Sequence, residues 1–286
     1  MSVNTPSLSS PPPHRALLRV EGEDAQTFLQ GQLSNDMRKL SAGRAALSSL
    51  NSPKGRVLAT LVVFPTPAGY GLLMAPDIVA AMQRRLQMFV LRSKVTLTPS
   101  ERMAHGILDG PTTGAAWQIQ QEAEALRIAA PGAPARSWLL GDAPDAPRHD
   151  AAFAAADIAC GLPCIGAAQS DAHIAQHLGL QRFGALSFDK GCFTGQEVIA
   201  RMHYRGGVKR MPLRLAGSGA PPGPGTTLRD EAGGALAEVV NSVATDDGCE
   251  MLVVWRGLEA PEVVECDQGR FEVRAFEARE NAISAT

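Results

Sequence analysis

Apolar residues recur along the chain in two periods, 2 and 3.6, and the blocks in which each holds predict its elements. Leu17, Leu18 and Val20 mark a first strand over Arg15 to Glu21, after which Ala25, Phe28, Leu29 and Leu33 fall on one helical stripe. Asp24 is the expected N-cap and Ser34-Asn35-Asp36 the expected end. Ala45 to Asn51 and Arg56 to Phe64 read as strands around Ser52-Pro53-Lys54-Gly55, where Pro and Gly suit a tight turn, and Tyr70 to Met74 reads as the next strand. Pro76 suits the first turn of a second helix, since its missing amide hydrogen would have no partner there. Ile78, Val79, Met82, Leu86, Phe89 and Val90 form that helix's apolar face, with Arg84 and Arg85 opposite. A strand over Lys94 to Thr98 follows. This order predicts an α+β fold with helices on one face of an antiparallel sheet.

Between Glu101 and Asp150 the pattern thins. His105 to Leu108, Ala125 to Ala129 and Ser137 to Leu140 read as strands, and Pro111, Pro131, Pro134, Pro144 and Pro147 exclude a long helix. Asp150 to Ala159 is alanine-rich and helical, ending at Gly161-Leu162-Pro163. After Gly206 the texture becomes short alternating strands: Val208 to Ala216, Thr226 to Arg229, Ala235 to Val243, Met251 to Trp255 and Phe271 to Phe276. They predict a small all-β barrel or sandwich of about 75 residues. The expected organisation is a tail over 1–13, an α+β region over 14–206 with a second interleaved subdomain over about 51–149, a barrel over 207–280 and a tail over 281–286.

Hydrophobic content of 45% with 20% charged residues is that of an ordinary globular chain, and 286 residues suffice for two or three domains. A net charge of −2 excludes a global pull toward nucleic acid or anionic membrane, so any such contact needs a local patch. The five cysteines are an odd number, which suits a reducing compartment. The Ser- and Pro-rich start lacks the pattern of a secretory signal, and Leu58 to Phe64 is too short to span a bilayer. The expected location is the cytoplasm.

Candidate chemistry concentrates in Asp189-Lys190-Gly191-Cys192-Phe193-Thr194-Gly195-Gln196-Glu197. Thr194 and Glu197 have the spacing of a capping box, which predicts a helix beginning near Gly195 with Glu197 accepting the Thr194 amide. Cys192 then precedes a helix N-terminus, with Lys190 two residues before it, and both features favour a thiolate. The competing reading is a small buried cysteine in a turn.

Three stretches together resemble the YgfZ-type folate-binding proteins, relatives of the glycine-cleavage aminomethyltransferase (T-protein). They are Val20 to Asp36 with Phe28-Leu29-Gln30-Gly31-Gln32, Asn51 to Arg56 with the later Leu91 to Val95, and Lys190 to Gly206 with Lys190-Gly191-Cys192-Phe193-Thr194-Gly195-Gln196-Glu197. The resemblance implies an aminomethyltransferase-like ring of three domains around a channel that binds tetrahydrofolate, ending in the small barrel. It also implies a monomeric accessory protein that supports iron–sulfur protein assembly or repair and, through it, tRNA modification. Cys192 is the implied functional thiol, with Lys190 and Glu197 beside it, and Phe153, Gln196, Arg201, Tyr204 and Arg205 are the expected folate contacts. Relatives carry tryptophan at the positions of Arg15 and Phe153, and often proline at that of Ala175.

Arg201, His203, Tyr204, Arg205, Lys209 and Arg210 form a basic cluster with three readings: the glutamate tail of folate, RNA phosphates, or a solvated helix end. Aromatic interleaving is confined to Tyr204 and Phe193, which weakens RNA. Cys160, Cys164, His173 and His177 have paired spacings, yet Gly161 and Pro163 break the helix between the cysteines, so no metal site is assigned. Dinucleotide, Walker and nucleophile-elbow motifs are absent. Two rival functions stand beside the accessory reading: a folate-dependent aminomethyltransferase, which uses an aspartate rather than this cysteine, and a tRNA-binding regulator.

Overall fold

The computed structural model describes residues 15–108, 115–122, 125–141 and 149–277. The expected tails over 1–13 and 281–286 lie outside the described residues, as do Pro111, Pro144 and Pro147. β1 (Arg15–Glu21) organises the large sheet. It pairs antiparallel with β4 (Gly69–Met74) on one side and β5 (Thr96–Leu108) on the other. Beyond β4 lie β3 (Val57–Thr66) and β2 (Ala46–Asn51). Beyond β5 lie β8 (Arg136–Leu140), β7 (Ala125–Ala129) and β6 (Ile119–Glu122), completing eight strands.

Alternation along β1 sends Ala16, Leu18 and Val20 to one face and Leu17 to the other, and both faces are covered. The first face packs Phe28 and Leu29 of α1 (Ala25–Gln32) and Met82 and Leu86 of α2 (Val79–Gln87). The second packs Val62, Phe64 and Trp138 against Phe153 and Ile158 of α3 (Asp150–Cys160). Helix α3 also touches the barrel, so it joins sheet to barrel. The barrel comprises β9 (Met211–Gly217), β10 (Thr227–Arg229), β11 (Ala235–Thr245), β12 (Gly248–Trp255), β13 (Val263–Cys266) and β14 (Gly269–Arg274), in the order β10-β11-β12-β9-β14-β13. Its open side is nearly closed by the Asp267 amide donating to Arg229 O at 2.9 Å and the Arg229 amide donating to Asp267 Oδ1 at 3.0 Å. Leu215, Val239, Met251, Val253 and Phe271 fill it.

Three details depart from the sequence expectation. The strands expected over 94–98 and 105–108 are one strand of 13 residues, which a register shift opposite Ala16 and Leu18 carries past Pro99. β6 is a polar edge strand and β13 a four-residue strand, too short and too half-exposed to show alternation. Asp24 makes no side-chain cap on α1; its carboxylate accepts the Lys94 amide at 2.8 Å and ties the helix start to the approach of β5.

The second core face holds a buried charge cluster. Arg15 and Arg136 are 0% and 1% exposed and share the carboxylate of Asp157, which is itself buried. Arg136 also donates to Pro131 O at 2.7 Å and to Phe153 O at 3.3 Å, and the Arg15 guanidinium lies 5.2 Å from the Trp138 ring centroid. Among the described residues, the Nε atoms of both arginines have no hydrogen-bond partner.

Candidate functional site around Cys192

The segments that carry the motifs are far apart in sequence and meet around one loop. Helix α4 (Gln196–Arg205) starts at Gly195, whose φ of +82° is left-handed. A Cβ there would lie 2.5 Å from Ser52 O and 2.8 Å from Gly55 Cα. Gly55, at φ +70°, faces Val198 of α4 at a distance that would put its own Cβ at 2.6 Å from the valine Cβ. The Ser52–Gly55 turn therefore packs on the first turn of α4 through two glycines that no other residue replaces without strain. From the opposite side, the stretch after α1 is bound in: Ser34 Oγ donates to Ala185 O at 2.7 Å, Asn35 Nδ2 to Gly184 O at 3.0 Å, and the Ser187 amide to Ser34 O at 3.0 Å.

Lys190 completes that link. Its side chain is 6% exposed and its ammonium donates to Leu33 O at 2.6 Å and Asn35 O at 2.8 Å, 5.1 Å from the Phe193 ring centroid. Burial pushes its pKa down to about 8, with the Asp36 carboxylate opposing and Arg38 adding. Lys190 is thus a strut that fixes the loop carrying Cys192. Cys192 itself is exposed, whereas Cys160 and Cys249 are buried and Cys164 and Cys266 are half-buried. The expected capping box is corrected: Gly195 occupies the N-cap, no side chain caps the helix, and Glu197 is exposed in the first turn. Gln196 takes the local role, its Oε1 accepting the Phe193 amide at 3.3 Å. Glu197 still places an acidic group at the positive end of the helix dipole.

The expected folate contacts are dispersed. Arg201, Tyr204 and Arg205 are exposed on α4, and Gln196 holds the loop. Phe153 is 0% exposed, 5.4 Å from the Trp138 ring and 4.5 Å from the Arg136 guanidinium. A pterin stacked on Phe153 would have to displace core side chains, so that expectation is withdrawn. A concave site of about 710 Å³ lies instead where the 75–77 turn, α3, the 164–169 loop and β11 meet. Asp77, Asp150, Ala154, Cys164, Gln169 and Asn241 contribute to its wall. Sequence reasoning missed it because its residues come from five separate segments with no local motif. Arg15 stands behind this wall, 3.4 Å from Cys164 Sγ. Desolvation raises the Cys164 pKa, with Arg15 opposing, so this thiol stays protonated at neutral pH. Among the described residues, no three His, Cys, Asp or Glu side chains gather to hold a metal ion, and no helix is long and apolar enough to cross a membrane.

An eight-stranded sheet carrying helices on both faces, closed off by a six-stranded barrel, defines an aminomethyltransferase-like fold. The glycine cleavage system aminomethyltransferase T from Bartonella henselae shares it, with a TM-score of 0.71 over 92% of this chain and 83% of that one, at 17% identity. Sequence similarity is narrower in reach. The chain is 30% identical over 254 residues to the tRNA-modifying protein YgfZ of Vibrio vulnificus (strain CMCP6), covering 81% of this chain and 78% of the relative. It is 29% identical over 227 residues to the tRNA-modifying protein YgfZ of Escherichia coli O7:K1 (strain IAI39 / ExPEC), covering 71% and 70%. The chain belongs to the YgfZ family. No family model matches it.

Proposed function

We propose that this protein is a tetrahydrofolate-binding accessory factor of tRNA modification, supporting the iron–sulfur proteins that such modification needs, with Cys192 as its working thiol. The observation that carries the reading is the convergence of three sequence-distant segments on the loop of Cys192, the exposed cysteine of the chain. A cysteine held only for packing would be buried and would need no such scaffold.

The concave site beside α3 fits a folate in chemistry. Its volume is in the range of small-molecule sites, and Ala151, Ala154 and Val243 offer apolar surface for a ring. Asp77 accepts the Ala167 amide through Oδ2 at 3.0 Å and makes no hydrogen bond through Oδ1 among the described residues. The Asp77 carboxylate, with Oδ1 open and a second lone pair on Oδ2, suits the amino-pyrimidinone edge of a pterin, which presents two donors side by side. Tetrahydrofolate would supply a carrier for one-carbon units. The chain's own part is to bind it, and to hold Cys192 on a separate, exposed loop.

Tetrahydrofolate at a hundredfold excess over its Kd stabilises the native state by about 2.7 kcal/mol, an upward shift in Tm of several degrees. Ala154→Phe fills the site and removes the shift, and Cys192→Ser keeps it. No shift in the wild type at saturating ligand would overturn the folate part of the reading.

A further inference from the structure

The last turn of α4 assembles aromatic side chains that the sequence keeps apart. Phe188, eight residues before the helix, stacks on His203 with centroids 3.9 Å apart and ring planes 14° from parallel. Tyr204 meets both edge-on, 6.0 Å from Phe188 and 4.9 Å from His203. This cluster is at the surface: His203 is exposed, and Tyr204 is 72% exposed. It borders a depression of about 420 Å³ whose wall combines Leu186 with Asn35, Lys39, Ser187 and Asp189, so the rings are flanked mostly by polar groups.

Cations stand beside the platform as well. Arg201, Arg205 and Lys39 are exposed and, among the described residues, have no carboxylate partner. Arg201 lies three positions from Tyr204 on the same helix, a neighbour in space. Flat exposed rings beside unpaired cations match a planar base joined to a phosphate. The mostly polar wall disfavours an apolar peptide side chain, which would need aliphatic surface.

We propose that Phe188, His203 and Tyr204 form a stacking platform for an unpaired base of single-stranded RNA, with Lys39, Arg201 and Arg205 taking its phosphates. The structure thereby answers the shortage of aromatic residues in the linear sequence: Phe193 is buried under Lys190, and Phe188 and His203 replace it. The platform sits at the end of α4 opposite Cys192, and a ten-residue helix spans roughly 15 Å.

The test is fluorescence anisotropy on the full chain with a labelled single-stranded RNA 12-mer and the same sequence as a duplex. The single strand binds more tightly, because a paired base cannot present its face. Tyr204→Ala weakens it at least fivefold, the lower end of base–aromatic stacking, and Tyr204→Trp restores it. Arg205→Glu weakens binding and lowers its salt dependence. At 72% exposure Tyr204 is not needed for folding, and an unchanged tetrahydrofolate shift in Tyr204→Ala separates this proposal from the folate reading. Equal affinity of Tyr204→Ala and wild type, or equal binding of duplex and single strand, overturns it. So does loss of cellular rescue by Tyr204→Ala with RNA affinity intact, which would assign the platform to a protein partner.

Discussion

Asp157 is the residue on which the interior charge balance rests. Two guanidiniums with negligible exposure share its carboxylate; other donors go to backbone carbonyls and cysteine sulfur, and both Nε atoms find no partner among the described residues. Removing the one carboxylate leaves two buried cations uncompensated, which costs about 3–5 kcal/mol. Asp157→Asn should therefore lower the midpoint of urea unfolding severely, while Arg15→Met, which removes one excess charge, should cost far less. Equal losses in the two variants would contradict this account. Trp138 from β8 puts an indole beside Arg15, its ring centroid 5.2 Å from the guanidinium. Gly195 is the second critical residue. Gly195→Ala meets both a left-handed φ and the Ser52 carbonyl, so a loss of at least about 1–3 kcal/mol is expected from the backbone alone. The same change at Gly191, where a Cβ has nothing within 4 Å, should be close to neutral.

At the scale of elements, the segment 170–178 links β3 to α4. The Val57 amide donates to His173 O, and Gln176 Nε2 donates to Ile199 O at 2.7 Å. It carries His173 and His177, whose pKa values are lowered to about 4, first by burial and then by Arg210 and nearby charges. For His173 these outweigh the Glu238 carboxylate 3.3 Å away. The unfolded chain protonates both near pH 6.5, and the folded chain only near 4, so between these values the unfolded state binds more protons. Stability should fall as pH drops from about 6.5 toward 4, and His173→Gln with His177→Gln should flatten that fall in urea titrations at pH 7 and pH 5. Most elements here were legible in the sequence: α1 carries a helical stripe, β1, β2 and β3 are apolar runs bounded by turn residues, and α3 is alanine-rich. β6 and β13 were hidden because edge strands need no buried face. The capping-box pattern at Thr194 misled because a glycine contact with the Ser52–Gly55 turn, a tertiary constraint, sets the helix start.

The whole molecule keeps its candidate sites apart. The concave site lies between α3 and β11, the thiol precedes α4, and the aromatic platform closes the same helix. Sequence alone located the Cys192 loop, since its motif is contiguous. It could not show that Phe153 turns into the core from the helix that walls the cavity, while Arg201, Tyr204 and Arg205 stand exposed on α4. Chemistry at Cys192 is the claim that unites fold, scaffold and family. Its most direct measurement is the activity of an iron–sulfur-dependent tRNA-modifying enzyme in a bacterial strain lacking its own YgfZ and supplied with Cys192→Ser. The account predicts a variant that folds, retains the tetrahydrofolate shift and restores no activity; restoration to the wild-type level would contradict it.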